Sequence, residues 1–141
     1  MKLSPHFSLS EFERSATATK HGIDNRVPSQ YIPALQQLCK EILEPLRSFA
    51  GEPILINSGY RCPRLNAAVG GSPTSNHLRG CAADLRVSSE SEAKQWFDWL
   101  KANTLYDELF IERTSPTSLP WIHVALRAEG NRGKAKEEFL K

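Results

Sequence analysis

Asp107-Glu108-Leu109-Phe110-Ile111-Glu112 and Trp121-Ile122-His123-Val124-Ala125-Leu126 decide how this chain folds. Both runs are short, rich in branched and aromatic residues, and flanked by turn formers, so each reads as a β-strand. Only eight residues, 113–120, separate them, with prolines at 116 and 120. A parallel crossover needs a dozen residues or more, so the pair is expected to close as an antiparallel hairpin. Alternation places Trp121 and His123 on one face of the second strand, and Ile122 and Val124 on the other.

Upstream, Cys81 to Val87 reads as another strand and Pro53-Ile54-Leu55-Ile56-Asn57 as a short buried one. Between Cys81–Val87 and Asp107–Glu112 lies Ser91 to Lys101, an amphipathic helix whose Trp96 and Trp99 read as core. The longest helix is predicted from Pro28 to about Phe49, with Ile32, Leu35, Leu38, Ile42, Leu46 and Phe49 as its apolar stripe. Pro45 should bend or shorten it, and Gly51 should close it. Ser8-Leu9-Ser10-Glu11 has the form of a capping box opening a short helix, and Ser15 to Arg26 reads as a surface loop. The resulting class is α+β, a small, mainly antiparallel sheet packed with helices.

At 141 residues the chain is long enough to bury one core without staples. A single domain over 1–141 is expected, with 1–27 as an N-terminal extension and loop and 127–141 as a polar tail. The 18 Lys+Arg against 16 Asp+Glu leave +2, which gives no electrostatic case for a nucleic-acid partner. In the tail, Arg127, Arg132, Lys134, Lys136 and Lys141 interleave with Glu129, Glu137 and Glu138, which reads as a solvated helical face. Cys39, Cys62 and Cys81 form no C-x-x-C pair, so cysteine chemistry is not indicated, and a Cys62–Cys81 bridge stays open. No stretch approaches twenty apolar residues, so membrane insertion is not expected. The opening residues lack the apolar run of a signal peptide. A monomer is expected.

The stretch from Ser58 to Gly80 is dense in Gly, Pro, Ser and Asn, with room for a short helix near Pro63 to Val69. Structureless loops of this length are uncommon inside a domain and are usually functional. It begins Ser58-Gly59-Tyr60-Arg61 and delivers His77 just before the strand that carries Asp84. With His123, these supply two imidazoles and a carboxylate, a set suited to a catalytic zinc that keeps one position free. Zinc brings the pKa of a water it binds down to near 7. The spacing alone decides little. A histidine on a strand is more often a hydrogen-bonded core or rim residue, and Asp84 can equally cap a turn.

Four ordered motifs sharpen this reading. Ser-Gly-Tyr-Arg (58–61), Asn-Ala-Ala-Val-Gly-Gly (66–71), Ser-x-His-x-x-Gly-x-Ala-x-Asp (75–84) and Trp-Ile-His-Val (121–124) resemble those of the zinc D-alanyl-D-alanine carboxypeptidases. That family includes phage endolysins that cut L-alanyl-D-glutamate bonds, and its fold is shared by the Hedgehog signalling domain. The likeness runs from about Leu3 to Leu126, and Phe7-Ser8-Leu9-Ser10-Glu11-Phe12 is similar to the opening of the phage-type members. It implies Zn2+ as cofactor, held by His77, Asp84 and His123, and a peptidoglycan stem peptide as substrate. Arg61 is implied to hold the substrate carbonyl oxygen, while Tyr60, Ser75 and Trp121 are candidates for contacting substrate. Asn76 is a candidate for positioning substrate or supporting the His77 ring. Arg79 and Arg64 are candidate partners for a substrate carboxylate.

The general base departs from the family pattern. Many members carry an acid three residues before the last histidine, where this chain has Pro120; others place a His or Glu five or six before it, where Ser118 and Thr117 stand. The expected base is Glu112, which the hairpin brings close to Trp121, with an exposed hairpin glutamate as the rival reading. Two other functions stay open, a non-catalytic zinc domain that binds peptide or wall material and a structural phage component. Action on the cell wall after phage-mediated release is the expected setting.

Overall fold

The computed structural model describes residues 1–140; Lys141, the end of the expected basic tail, lies outside the described residues. The chain opens with β1 (Lys2–Ser4) and β2 (Phe7–Ser8), a small antiparallel pair, followed by α1 (Leu9–Glu13). As the capping box requires, the Glu11 carboxylate reaches back to accept the Ser8 N–H at 2.7 Å. Ser15 to Arg26 is not simply a loop. It forms α2 (Ala16–His21), capped by the Ser15 hydroxyl and closed by Gly22.

The long helix is present but interrupted. After a 3-10 turn at Ser29–Tyr31 come α3 (Ile32–Leu38), a π turn over Cys39–Leu43, and α4 (Glu44–Ala50). Pro45 neither ends nor shortens it. The π turn sits immediately before this proline, where the Glu44 N–H reaches back to the Cys39 carbonyl. One wider turn absorbs the missing donor and the ring, and the helix runs on to Gly51 at φ 70°.

Next come β3 (Ile56–Ser58), α5 (Pro63–Ala68), a 3-10 turn over Asn76–Arg79, and β4 (Ala82–Arg86). α6 (Glu90–Asn103), β5 (Glu108–Arg113), β6 (Trp121–Ala125) and β7 (Lys134–Phe139) complete the chain. The main sheet has the order β3-β4-β6-β5-β7, antiparallel except for the parallel β5–β7 pair. β5 and β6 form the expected hairpin, with Phe110 opposite His123 and Glu112 opposite Trp121.

The tail therefore corrects the helical expectation. Lys134 to Phe139 pairs along the whole of β5 as the sheet's edge, from Glu108 opposite Lys134 to Arg113 opposite Phe139. A polar run is tolerated there because an edge strand has only one neighbour, and charged edges discourage pairing with other chains.

Strand alternation divides the sheet into two faces. Ala83 and Leu85, Leu109 and Ile111, and Ile122 and Val124 enter one buried cluster with Leu35, Leu38, Ile42, Trp96, Phe97 and Leu100 from the helices. Burying aliphatic side chains of this size is worth about 1.5–3 kcal/mol each, so this face fixes the register. The other face carries Asp84, His123, Phe110 and Glu112. Among the described residues, no helix is long and apolar enough to cross a membrane.

Candidate metal centre

His77, Asp84 and His123 are brought together. One ligand-capable atom from each lies within 4.8 Å of the others, and all three residues are buried. Asp84 and His123 are direct neighbours in the β4–β6 register. His77 arrives on the 3-10 turn, which the Ser75 hydroxyl starts by accepting the His77 N–H at 3.1 Å and which Gly80 ends at φ 70°.

The protons in this cluster follow from its partners. His77 Nδ1 lies 2.6 Å from the Gly59 carbonyl oxygen, which can only accept, so Nδ1 carries the hydrogen. That leaves the Nε2 lone pair facing inward, buried and without a hydrogen-bond partner, 3.3 Å from Asp84 Oδ1. Two acceptors so placed repel each other unless a cation or a proton lies between them. A divalent metal fits this donor set. His77 Nε2 and His123 Nδ1 lie 3.3 and 3.0 Å from Asp84 Oδ1, and three protein donors leave a position for substrate or water.

His123 is held from both sides. Nδ1 lies 3.0 Å from Asp84 Oδ1 and Nε2 lies 2.9 Å from Glu108 Oε1. Burial alone would lower its pKa, but the hydrogen bonds to Asp84 and Glu108 win and push it up to about 10. Without a metal the ring is an imidazolium bridging two carboxylates. Burial would raise Asp84, yet the positive charge of His77 when a proton occupies Nε2 and the hydrogen bond from the His123 imidazolium hold it well below the usual carboxylate range.

Arg61 lines the same cluster, with Nη2 3.8 Å from Asp84 Oδ2, Nη1 donating to Asn66 Oδ1 at 3.0 Å and Nε to the Ser58 hydroxyl at 3.3 Å. Two glycines make this arrangement possible. A Cβ on Gly71 would collide with the Asn66 amide and with Arg61 Nη1, and one on Gly59 would meet the Phe12 backbone at 2.6 Å. Buried Asn25 ties the stretch down, donating to the Glu13 and Tyr60 carbonyls and accepting the Cys62 N–H. The N-terminal region is thus packed against the loop that carries Arg61.

Glu112 is buried, not an exposed hairpin residue, and its Oε1 accepts the Trp121 indole N–H at 2.9 Å. Burial first, then a hydrogen bond with Glu138, pushes it up to about 8. A carboxyl with a pKa near neutrality can both take and release a proton under ordinary conditions.

Other predicted contacts fall elsewhere. The Tyr60 ring packs in the core, 6.0 Å from that of Tyr31, and with Arg79 lines a separate cavity of about 430 Å³. The Ser75 hydroxyl is occupied in holding the His77 backbone. Arg64 is exposed on α5. Cys62 and Cys81 are unpaired, and the Cys62 sulfur caps α5 instead.

One residue beside the cluster was not singled out by the motifs. Glu108 meets His123. Asn76 supports Glu108 and not the His77 ring, donating to Glu108 Oε1 and Asp107 Oδ2, both at 2.9 Å. Asp107 is fully buried and accepts from Arg132, which also reaches Glu108. Strand parity puts Glu108 and Glu112 on one face; the hairpin register was needed to show which one reaches the ring.

Residues 5–125 match the family model described as Peptidase M15. No curated protein matches the chain.

Proposed function

The chain belongs to the peptidase M15 family, and on that premise we propose that it is a zinc-dependent peptidase acting on the stem peptides of peptidoglycan. The observation that carries this reading is the buried, unpartnered Nε2 of His77 facing Asp84 and His123. In the proposed site His77 Nε2, Asp84 Oδ1 and His123 Nδ1 hold the zinc. When bound, the metal supplies Lewis acidity toward a water and toward the scissile carbonyl.

The remaining roles belong to side chains. Arg61, fixed by Ser58 and Asn66, points its guanidinium at the developing negative charge on the carbonyl oxygen. Glu112 takes the proton of the attacking water and passes it to the leaving amine, and its pKa near 8 suits both transfers. Trp121 holds the Glu112 carboxyl through its indole N–H. The bond cut is of the D-Ala-D-Ala or L-Ala-D-Glu type, and in both the leaving amine sits on a carbon that bears a carboxylate. The wall lies outside the cytoplasm, and release during phage-driven lysis is the proposed route to it.

Zymography on purified walls tests the proposal. Clearing is expected, abolished by a chelator and restored by zinc; absence of clearing under all conditions would favour a structural protein. Glu112→Gln should keep zinc and lose turnover by about 10²-fold or more. Unchanged turnover would reject Glu112. Mass spectrometry of the released muropeptides then identifies the bond.

A further inference from the structure

β7 lies wholly beyond residues 5–125, the segment that matches the family. It is nonetheless part of the face that carries the site. In the parallel β5–β7 register Lys134, Lys136 and Glu138 stand opposite Glu108, Phe110 and Glu112. Lys136 Nζ lies 4.8 Å from the centre of the Phe110 ring, which stacks on His123 at 5.2 Å. The same Nζ is 2.9 Å from Glu138 Oε2.

In that register the Glu138 carboxyl faces that of Glu112, and the opposite shifts of the two groups, Glu112 up and Glu138 down, are those of neighbouring carboxyls that share a hydrogen bond. Two carboxyl groups can share such a bond only with one proton between them. Lys136 favours the ionised form of Glu138, so the shared proton lies on Glu112 once it has taken it from the water, the form in which Glu112 delivers a proton to the leaving amine. Glu112 is then held from two sides, by the Trp121 indole N–H on Oε1 and by Glu138 across the strand pair. Neither contact touches the proposed zinc ligands directly.

We infer that Glu138, anchored by Lys136 on the C-terminal strand, is a positioning residue that aims the Glu112 carboxyl at the reacting centre. This rests on the proposed role of Glu112. A displaced proton carrier leaves substrate binding intact and slows the chemical step, so the effect belongs in kcat and not in KM. Glutamine at 138 keeps the length and can donate to Glu112; leucine keeps the bulk and makes no hydrogen bond.

The test uses the full-length, zinc-loaded chain and a soluble stem pentapeptide containing both bond types. Glu138→Leu should lower kcat about tenfold or more with KM within about twofold, and Glu138→Gln should recover most of the loss. Lys136→Met releases Glu138 without removing it and should lower kcat in the same direction, which keeps the test usable if the leucine variant does not fold. Zinc content should be unchanged throughout. If kcat of folded Glu138→Leu stays within about twofold, or glutamine loses as much as leucine, the inference is overturned. Glu112→Gln separates the two ideas: if it turns over normally the base assignment itself fails, and if it is inactive while Glu138→Leu is normal only Glu138 is excluded.

Discussion

Glu108 accepts a hydrogen bond from His123 Nε2 at 2.9 Å, on the side of the ring away from Asp84. An acceptor there fixes the ring's orientation, keeps the proton on Nε2 and raises the basicity of Nδ1, the atom turned toward the other two donors. Asn76 and Arg132 hold Glu108 in place from the loop and from the segment leading into β7. Glu108→Ala should therefore weaken zinc binding by about 10–100-fold while the fold persists. Competition against a chromophoric chelator measures this; an unchanged affinity would reduce Glu108 to a surface ion-pair partner.

Zinc uptake should release a proton. Burial opposes the charge on His123, but its bonds to Asp84 and Glu108 raise its pKa to about 10, so at neutral pH Nδ1 is protonated in the metal-free protein. A metal can occupy that lone pair only by displacing the hydrogen, so affinity should rise with pH below about 10 and fall on acidification. Calorimetric titrations in buffers of different ionisation enthalpy count the protons released. A value near zero at pH 7 would show that His123 is not a ligand through Nδ1.

How much of this was readable beforehand depended on whether a pattern was local. The hairpin was legible because Asp107–Glu112 and Trp121–Leu126 are short runs rich in branched and aromatic residues, joined by too few residues for a crossover. The convergence of His77, Asp84 and His123 was implied by the family resemblance that the four motifs carry, since residue types and spacing left it open; the β4–β6 register then sets Asp84 opposite His123. β7 was not legible. Lys134-Ala135-Lys136-Glu137-Glu138-Phe139 offers only Ala135 to the core, so hydrophobic periodicity gave no strand signal and charge alternation suggested a helix. The role of Asn25 was equally hidden, because a buried side-chain amide that ties three backbone groups leaves no periodic trace.

The pH dependence of stability in the metal-free protein follows from opposed groups. Burial would raise Asp107, but Arg132 holds it well below its usual range, as the two imidazoles hold Asp84. Their contributions are present above the unfolded pKa near 4 and are lost as pH falls below it. Glu112 works in reverse. With a folded pKa raised to about 8, the native state keeps a proton that the unfolded chain releases, so stability declines as pH rises from about 4.5 to 8. His123, raised to about 10, adds a decline above about 6.5. The melting temperature in chelator should be highest near pH 5. Glu112→Gln should flatten the fall between about pH 5 and 6.5 and leave only the His123 decline above it, and a parallel curve would contradict the raised Glu112.

Gly71 separates binding of the metal from stabilisation of charge on the substrate. It touches no proposed zinc ligand, yet a methyl group there would overlap the Asn66 side-chain oxygen and Arg61 Nη1. Asn66 cannot simply retreat, since its amide also donates to the Ser72 carbonyl at 2.9 Å. Gly71→Ala must therefore displace the guanidinium relative to Asp84, and with it the cation meant for the carbonyl oxygen. Misplacing such a group by about 1 Å costs roughly 10²-fold in rate. Turnover of a soluble stem peptide should accordingly drop by about 10- to 100-fold, while zinc affinity stays within about twofold of the parent. Equal loss of zinc and turnover would mean that the loop holds the metal cluster itself, and normal turnover would remove Arg61 from the chemistry.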